Sequence, residues 1–390
     1  MLSHGFRPRR ANDGPGTGEH VMTIYWLIIA LALISDVFCQ IFPYVIYKKF
    51  TVIVFFVIIT FISAIRVGIG TDYHVYEIFF ARIKNSEGQT LSIEQGFKAL
   101  LDLLVNLDLT DRAMFVVSSI FTLSSFLYFI VRFVDHKFWG FASFLFICAG
   151  FYFNSLNLLR QFIAISFSIF AFSAFTKRQY KGMVCFFLAA LLFHTSAFVI
   201  LLLPALVLVL RRDDRSKWLT LIFAISIILS ISGISSFISS IAMLNPHWAG
   251  YADGTVNGQF FTDRNTSAAF KIVIPLFIVL LGLYQDERKK PKEDDSSRTI
   301  TEHAILAGAL IYVLLQITGY GMQPIYRLGL YFSPYFVAYT CHVVGSGKKE
   351  SEHILHFALI LYFIILTYVT VFLKNGSGVI PYSSIFGNTP

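Results

Sequence analysis

Long apolar runs alternate with short polar segments along the 390-residue chain. Two early runs, "MTIYWLIIALALI" and "FTVIVFFVIITFISAI", contain no charged residue and do not alternate apolar and polar positions with period two. About 20 apolar residues coiled as a helix cross the roughly 30 Å hydrocarbon core of a bilayer, whereas a membrane barrel needs period-two strands. The pattern therefore predicts an all-α polytopic membrane protein.

We predict about twelve transmembrane helices from these runs. They cover residues 23–43, 50–65, 112–134, 138–155, 158–176, 182–193, 196–210, 217–243, 268–285, 302–318, 327–344 and 353–373. Together they predict one transmembrane helical domain over 22–390, with an extracytoplasmic loop at 66–111. Within that loop, "YHVYEIFFARI" is typical of a short amphipathic helix at the membrane interface.

The first 21 residues do not fit this pattern. They carry three arginines and lack the apolar core of 7 to 15 residues that a signal peptide has. Met22 opens an ordinary first span. We therefore expect 1–21 to be a disordered extension, with Met22 as the natural initiator.

The composition agrees with the membrane class and argues against other classes. Apolar residues make up 56% of the chain and charged residues 14%, whereas soluble proteins have about 45–50% and about 25%. The net charge is +8, but the basic residues lie in short loops and not in a patch interleaved with aromatic rings, which argues against nucleic acid. The four cysteines lack the paired spacing of a metal or redox site.

Basic residues concentrate on alternate loops. These loops are "YKKF", "VRFVDHK", "TKRQYK", "RRDDRSK", "DERKKPKEDDSSR" and "GKKE". The positive-inside rule makes them cytoplasmic and places both chain ends outside. The arginine-rich N-terminus favours the alternative, an N-in topology that would invert every loop.

The segment 182–210 is long for one helix and short for two, yet basic loops flank it on both sides. This arrangement predicts a hairpin with two arms of about 14 residues, each about 21 Å long. Its tip, "FHTS", should lie below the outer surface, where protein or a water-filled cavity must surround it.

The predicted outer side collects most of the candidate chemistry. Neither a nucleotide-binding glycine loop nor zinc-ligand spacing occurs, so we expect no metal and no cofactor. Arg160 and Arg327 stand at outer span ends, where a guanidinium suits a phosphate or pyrophosphate. Snorkelling to the interface, or a pair with Asp72, is the alternative. Arg66 is either a ligand contact or an interfacial anchor.

Asp72 and His194 are the candidate proton acceptors. Asp72 could accept a proton from a hydroxyl or cap a helix. His194 could act as a general base or be a histidine at a helix end with satisfied hydrogen bonds. Gln161 lies beside Arg160. Four tyrosines are either platforms for sugar rings or members of an interfacial aromatic belt: Tyr73, Tyr76, Tyr326 and Tyr382.

The order of "RVGIGTDYHVY", "NLLRQFIAISF", "LLFHTSAFVILL", "YRLGLYF" and "VIPYSSIF" resembles the EpsG family of Wzy-type polysaccharide polymerases. The resemblance runs over nearly all of 22–390; the first 21 residues and the loop 244–267 depart from it. It implies a bacterial inner-membrane enzyme that joins polyprenyl-diphosphate-linked oligosaccharide units at the outer face. It also implies a fold similar to the C-type glycosyltransferases. Membrane lipid and a chain-length regulator are the further expected partners.

On this basis Arg160 and Arg327 would neutralise the diphosphate, and Asp72 or His194 would take the acceptor proton. Gln161, Tyr73, Tyr76 and Tyr326 would line the cavity. The alternatives are an O-antigen ligase, which typically has a large late loop, and a transporter or flippase, which would favour repeats and charges along a passage. The longest loop here is early, and no internal repeat is visible, which favours the polymerase.

Overall fold

The protein is helical throughout the part that the structure describes. The computed structural model describes residues 17–88, 91–212, 214–231, 266–288, 296–320 and 322–387. These residues form helices and connecting turns, and their extended pairing is an isolated antiparallel bridge between Arg66 and Ser384. The all-α prediction is confirmed.

The α-helices follow one another in chain order. They are α1 (Thr17–Ile41), α2 (Val45–Ala64), α3 (Tyr73–Lys84), α4 (Gln95–Asn106), α5 (Arg112–Phe133), α6 (Trp139–Cys148), α7 (Phe151–Asn157), α8 (Leu159–Thr176), α9 (Tyr180–Phe193), α10 (Leu202–Leu210), α11 (Arg215–Ile231), α12 (Thr266–Arg288), α13 (Ser296–Thr318), α14 (Gln323–Gly329), α15 (Ser333–Gly345) and α16 (Lys349–Thr367). Short 3-10 helices at Thr195–Leu201 and Leu330–Phe332 join neighbouring helices, and a π-helical segment, Tyr368–Leu373, extends α16.

Six of the described helices are long and apolar enough to cross a membrane. They are Met22–Ile41, Val45–Ala64, Arg112–Phe133, Leu159–Thr176, Ile300–Thr318 and Lys349–Leu373. Helices stand at all twelve predicted positions, so a polytopic protein is confirmed. The number twelve stays a prediction, because the remaining helices are shorter, less apolar or bent.

Two of the predicted segments extend beyond the residues that the structure describes. α1 begins at Thr17, five residues before the predicted domain start, while residues 1–16 lie outside the described part of the chain. α11 ends its described portion at Ile231, so the rest of the predicted span 217–243 and the loop to residue 265 also lie outside it.

The predicted single span 138–155 is broken. His136–Cys148 and Phe151–Asn157 meet at an angle of 51°. Gly150, between them, has φ +88°, a left-handed conformation that glycine adopts without a steric penalty and that commonly ends a helix. The chain therefore changes direction inside the bundle, and α7 leads straight into α8.

Polar loops gather at the two ends of the bundle, as the alternation predicts. At one end, the basic end, Lys137 forms an ion pair with Glu352, and the Gln40 amide donates to the Lys137 carbonyl over 3.2 Å. At the other end, the site end, the Val67 amide donates to the Ser383 carbonyl over 2.9 Å. The 66–72 loop and the C-terminal segment thus pair with each other.

The core surrounds α6, whose residues are all buried. Its neighbour α1 lies close because Gly140 has no side chain: a Cβ there would stand 2.3 Å from the Asp36 Cα. A second, smaller cluster of buried residues joins α3 and α4 to the first turns of α5 and α8. This cluster holds the 66–111 segment against the bundle.

The contact at Gly140 yields a test of the packing. We expect Gly140→Ala to lower the melting temperature of the detergent-solubilised protein, because the added methyl group meets backbone atoms that have no rotamer to change. Overpacking of this kind costs about 1–3 kcal/mol. The matched control is Gly182→Ala in α9, where the Cβ would meet the Ala174 Cβ at an ordinary 3.7 Å. Equal effects of the two substitutions would contradict this account.

Candidate functional site

The 66–111 segment contains two helices that carry the site. The helix predicted at "YHVYEIFFARI" is present as α3, Tyr73–Lys84. Its position at the membrane interface stays a prediction. The second helix, α4, was not predicted, although Phe97, Leu101 and Leu104 recur at helical spacing and are buried. The apolar faces of both helices pack against the bundle. Their polar residues lie at the site end.

The loop before α3 is fixed by backbone contacts. Gly68 and Gly70 have φ +65° and +103°, which favour glycine. The Gly70 amide donates to the Gly378 carbonyl over 3.0 Å, and the Asp72 amide donates to Asn157 Oδ1 over 2.9 Å. Asn157 thereby holds the start of α3 beside the junction of α7 and α8.

Glu94, at the N-terminus of α4, joins the two strongest sequence candidates. Its Oε1 atom is 2.5 Å from His194 Nδ1, and its other oxygen accepts a hydrogen bond from Arg160. The Glu94 side chain is 14% exposed, whereas those of Arg160 and His194 are each 27% exposed. One nearly buried carboxylate therefore orients two more accessible basic groups.

A glycine brings Glu94 to this position. A Cβ at Gly96 would stand 2.8 Å from the Leu192 carbonyl oxygen and 3.0 Å from Phe193 Cδ2. The absence of a side chain lets the first turn of α4 rest against the last turn of α9. α9 then ends at Phe193, and His194 has extended backbone with φ −159°. The predicted hairpin, with its break at "FHTS", is confirmed.

The pKa of Glu94 follows from these contacts. Burial by itself would raise it, but the hydrogen bond from His194 and the charge of Arg160 outweigh burial and lower the pKa to about 2. Glu94 is therefore ionised at neutral pH and can only accept hydrogen bonds. His194 consequently carries its proton on Nδ1 when neutral, which leaves Nε2 as a proton acceptor.

Arg160 lies among aromatic side chains as well as beside Glu94. Its guanidinium carbon is 5.8 Å from the centroid of the Phe79 ring. Burial raises the pKa of Tyr76, and the nearby Arg160 charge partly opposes that shift. Tyr76 thus stays a neutral phenol that faces Arg160. The alternative partner predicted for Arg160, Asp72, is replaced by Glu94.

The backbone of Arg327, in α14, contacts the residue that follows Arg160. The buried Gln161 amide donates to the Arg327 carbonyl over 2.6 Å, so α14 is tied directly to the residue that follows Arg160. In the described part of the chain, the half-buried Arg327 guanidinium has no hydrogen-bonded or ion-paired partner. Its neighbour Tyr326 lies under Lys271, whose Nζ atom is 5.4 Å from the ring centroid.

Two other predicted site residues point inward. Arg66 is wholly buried; it donates to the Ser119 hydroxyl over 3.0 Å and to the Leu156 carbonyl over 3.3 Å. Tyr73 is buried too, and its ring stacks on Phe115 with centroids 4.2 Å apart. Neither contacts Glu94 in the described part of the chain. A substrate contact by Arg66 would require exposed surface, and the Arg66 side chain has none.

Asp72 takes the predicted position at the N-terminus of α3, although its side chain makes no capping hydrogen bond there. It is half-buried, and the Thr71 hydroxyl donates to Asp72 Oδ1 over 3.2 Å. The structure therefore joins Arg160 and His194 through Glu94 and places Tyr76 beside Arg160, with Asp72 near Tyr76. Glu94 itself was missed. The available signal was a single carboxylate directly before the amphipathic pattern "QGFKALLDLLVN".

The Glu94 contacts yield a stability test. Because the pKa of Glu94 is lowered, its ionised form contributes stability at pH values above its ordinary value of 4.5, and that contribution is lost as the pH falls towards about 2. We expect Glu94→Gln to lower the melting temperature at pH 7, since a buried charged hydrogen bond contributes about 1–3 kcal/mol. The control, Glu77→Gln, removes a half-buried carboxylate whose partner, His74, is exposed, and it should have little effect. A neutral result for Glu94→Gln would contradict the bridging role.

The comparisons with known proteins identify the family. No curated protein and no solved structure matches the chain, so the expected similarity to C-type glycosyltransferases stays a prediction. The EpsG family model, in contrast, matches residues 49–384, which include Asp72, Glu94, Arg160, His194 and Arg327. A match over most of the chain establishes membership: this chain belongs to the EpsG family and is a polysaccharide-polymerase-like membrane protein.

Proposed function

We propose that the protein polymerises polysaccharide by joining oligosaccharide repeat units carried on polyprenyl diphosphate, at the outer face of the bacterial inner membrane. The observation that carries this proposal is the Glu94 bridge, which places an oriented histidine beside an arginine at one end of a helical bundle. This arrangement suits a reaction that removes a proton from a hydroxyl while negative charge develops on a phosphate leaving group.

His194 is the proposed general base. Its Nδ1–H donates to Glu94, and Nε2 accepts the proton of the acceptor hydroxyl. The hydroxyl oxygen then bonds to C1 of the donor sugar as the C1–O bond to the diphosphate breaks. Glu94 orients the ring and stabilises the imidazolium that forms. Asp72 is the alternative base; among the described residues its side chain is held by the adjacent Thr71 hydroxyl and by no basic group.

Arg327 and Arg160 are the proposed binders of the diphosphate, and they are not equivalent. Arg160 shares its charge with Glu94, which fixes its position, whereas the Arg327 guanidinium is unpaired in the described part of the chain. Arg327 therefore supplies most of the uncompensated positive charge. Gln161 positions Arg327 through the backbone, and Tyr76 shapes the wall beside Arg160.

The remaining predicted residues have supporting roles in this proposal. Arg66 and Tyr73 hold the 66–72 loop from inside, and Tyr326 borders the cavity next to Arg327. The lipid-diphosphate donor already carries its leaving group, so the reaction needs no nucleotide. Bilayer lipid surrounds the bundle, and a chain-length regulator is a further proposed partner.

A ligase that delivers the same glycan to lipid A core, and a transporter, remain the competing functions. Purified protein incubated with a lipid-linked repeat unit distinguishes them. Chain lengthening supports the polymerase, transfer to lipid A core indicates the ligase, and flipping without transfer indicates the transporter.

The proposed roles predict distinct kinetic defects. We expect His194→Ala to reduce the rate of chain lengthening by roughly 10²–10⁴-fold, which is the usual contribution of a general base. We expect Arg327→Ala and Arg160→Ala to abolish detectable polymer, because removing an electrostatic stabiliser costs about 10²–10³-fold. The measurement is polymer length on a gel, from cells and from the purified enzyme.

Matched controls come from the same segment of the chain. His74→Ala removes an exposed histidine that pairs with Glu77, and Arg82→Ala removes an exposed arginine of α3. Both variants should make polymer of wild-type length. Wild-type polymer in Arg327→Ala would remove the diphosphate-binding role. Wild-type polymer in His194→Ala would transfer the base role to Asp72.

The proposed orientation can be tested by labelling. In a background without the four native cysteines, a membrane-impermeant maleimide should label Glu87→Cys, an exposed position at the site end, in intact spheroplasts. Arg178→Cys, exposed at the basic end, should react after lysis and not before. The reverse pattern would place the site on the cytoplasmic face.

A further inference from the structure

A basic groove lies between α10, α11 and α13, outside the site already described. α10 and α11 both pack against α13, and arginines of the segment "RRDDRSK" stand at the turn between α10 and α11. The groove has a volume of about 430 Å³, whereas about 10–15 Å³ is enough for one water molecule. It therefore has room for a ligand of the size of a lipid headgroup. Its lining residues are Leu210, Arg211, Arg212, Arg215 and His303.

Two of the three arginines in the groove keep their charge uncompensated. Arg212 donates to Asp214 through Nε over 2.8 Å and through Nη2 over 3.3 Å, so Asp214 compensates that charge. Among the described residues, the side chains of Arg211 and Arg215 make no hydrogen bond or ion pair, and no carboxylate lines the groove. The complementary ligand therefore carries an anionic group with acceptor oxygens, and a phosphate suits the guanidinium donors.

The helices that border the groove expose apolar side chains next to it. On α11, Trp218, Leu221 and Ile225 are exposed at helical spacing and form one stripe, the α11 stripe, that leads away from the groove. The guanidinium carbon of Arg212 lies 5.4 Å from the centroid of the Trp218 ring, which joins this stripe to the groove. On α10, Leu208 is exposed one turn before Arg212. Tryptophan is enriched where membrane helices meet the polar headgroups, so the stripe faces lipid below the headgroup level.

Positive charge and exposed apolar surface thus meet at one place, and a soluble anion would use the charge alone. An amphiphile with an anionic head complements both features. Basic pockets between membrane helices bind such headgroups, and the cytoplasmic leaflet, which these basic loops are predicted to face, is the anionic one.

We propose that this groove binds the phosphate headgroup of an anionic phospholipid, with Arg211 and Arg215 as the donors and the α11 stripe as the surface for an acyl chain. The site differs from the bulk lipid around the bundle because it selects for headgroup charge. The inference is independent of the proposed function, since it uses no residue of the Glu94 cluster and no property of the polymerisation reaction.

The test uses phosphatidylglycerol with a photoreactive diazirine in one acyl chain, added to the full-length protein in phosphatidylcholine nanodiscs. Peptide mass spectrometry measures labelling of α11, and an equivalent photoreactive phosphatidylcholine gives the baseline. We expect Arg211→Gln combined with Arg215→Gln to raise the probe fraction needed for half-maximal labelling roughly 25-fold, since each basic residue beside an anionic headgroup contributes about fivefold. The matched control, Lys177→Gln combined with Arg178→Gln, removes two exposed charges from another basic loop and should label like the wild type.

Four results would overturn the proposal. The first is equal labelling of the wild type by the two probes, a result that does not depend on the variants folding. The second is unchanged labelling of the Arg211 and Arg215 double variant in protein that melts at the wild-type temperature. The third is an equal loss in the control variant, which would assign the effect to net charge and not to the groove. The fourth is displacement of the probe by glycerol phosphate, the headgroup without acyl chains, which would mean that the groove serves a soluble anion.

Discussion

The carboxylate of Glu94 is the interaction on which the site depends. A guanidinium and an imidazole at the end of an apolar bundle need either water or an opposite charge, and here one carboxylate serves both groups. Because the pKa of Glu94 is about 2, the carboxylate keeps its charge throughout the physiological range. It thereby fixes both the position of Arg160 and the tautomer of His194.

Three small structural features make that interaction possible. Gly96 lets α4 approach the end of α9, Asn157 ties the start of α3 to the α7–α8 junction, and the break at Gly150 turns α7 towards α8. None of the three carries chemistry. They place three separate segments of the chain within hydrogen-bonding distance at one end of the bundle, and the second hydrophobic cluster keeps them there.

The polar groups at the site end divide into two sets around α14. On one side, Glu94 orients a base and an arginine, and Gln161 fixes the Arg327 backbone. On the other side, Lys271 lies over the ring of Tyr326, the residue of α14 that precedes Arg327. Since α14 belongs to both sets, a change in its position would be felt at both.

The sequence by itself determined the class of the fold and much of the site. A bilayer demands long apolar helices, so composition and run length were sufficient to predict helices at all twelve positions and loops that alternate between two ends. Arg160 and His194 were also identifiable, because polar residues at the ends of apolar runs are few. α4 also has a signal in the sequence, since its apolar residues recur at helical spacing.

Only the tertiary structure decided which of these polar residues meet. Arg66 and Arg327 stand at similar positions relative to their apolar runs, yet Arg66 is wholly buried and Arg327 is half-buried and unpaired in the described part of the chain. Glu94 lies 66 residues from Arg160 and 100 residues from His194. Local periodicity fixes which face of a helix is apolar, but it contains no information about which distant helix covers that face. Tertiary packing therefore decides which charges pair. Glycines contribute to that packing because they let neighbouring backbones approach closely.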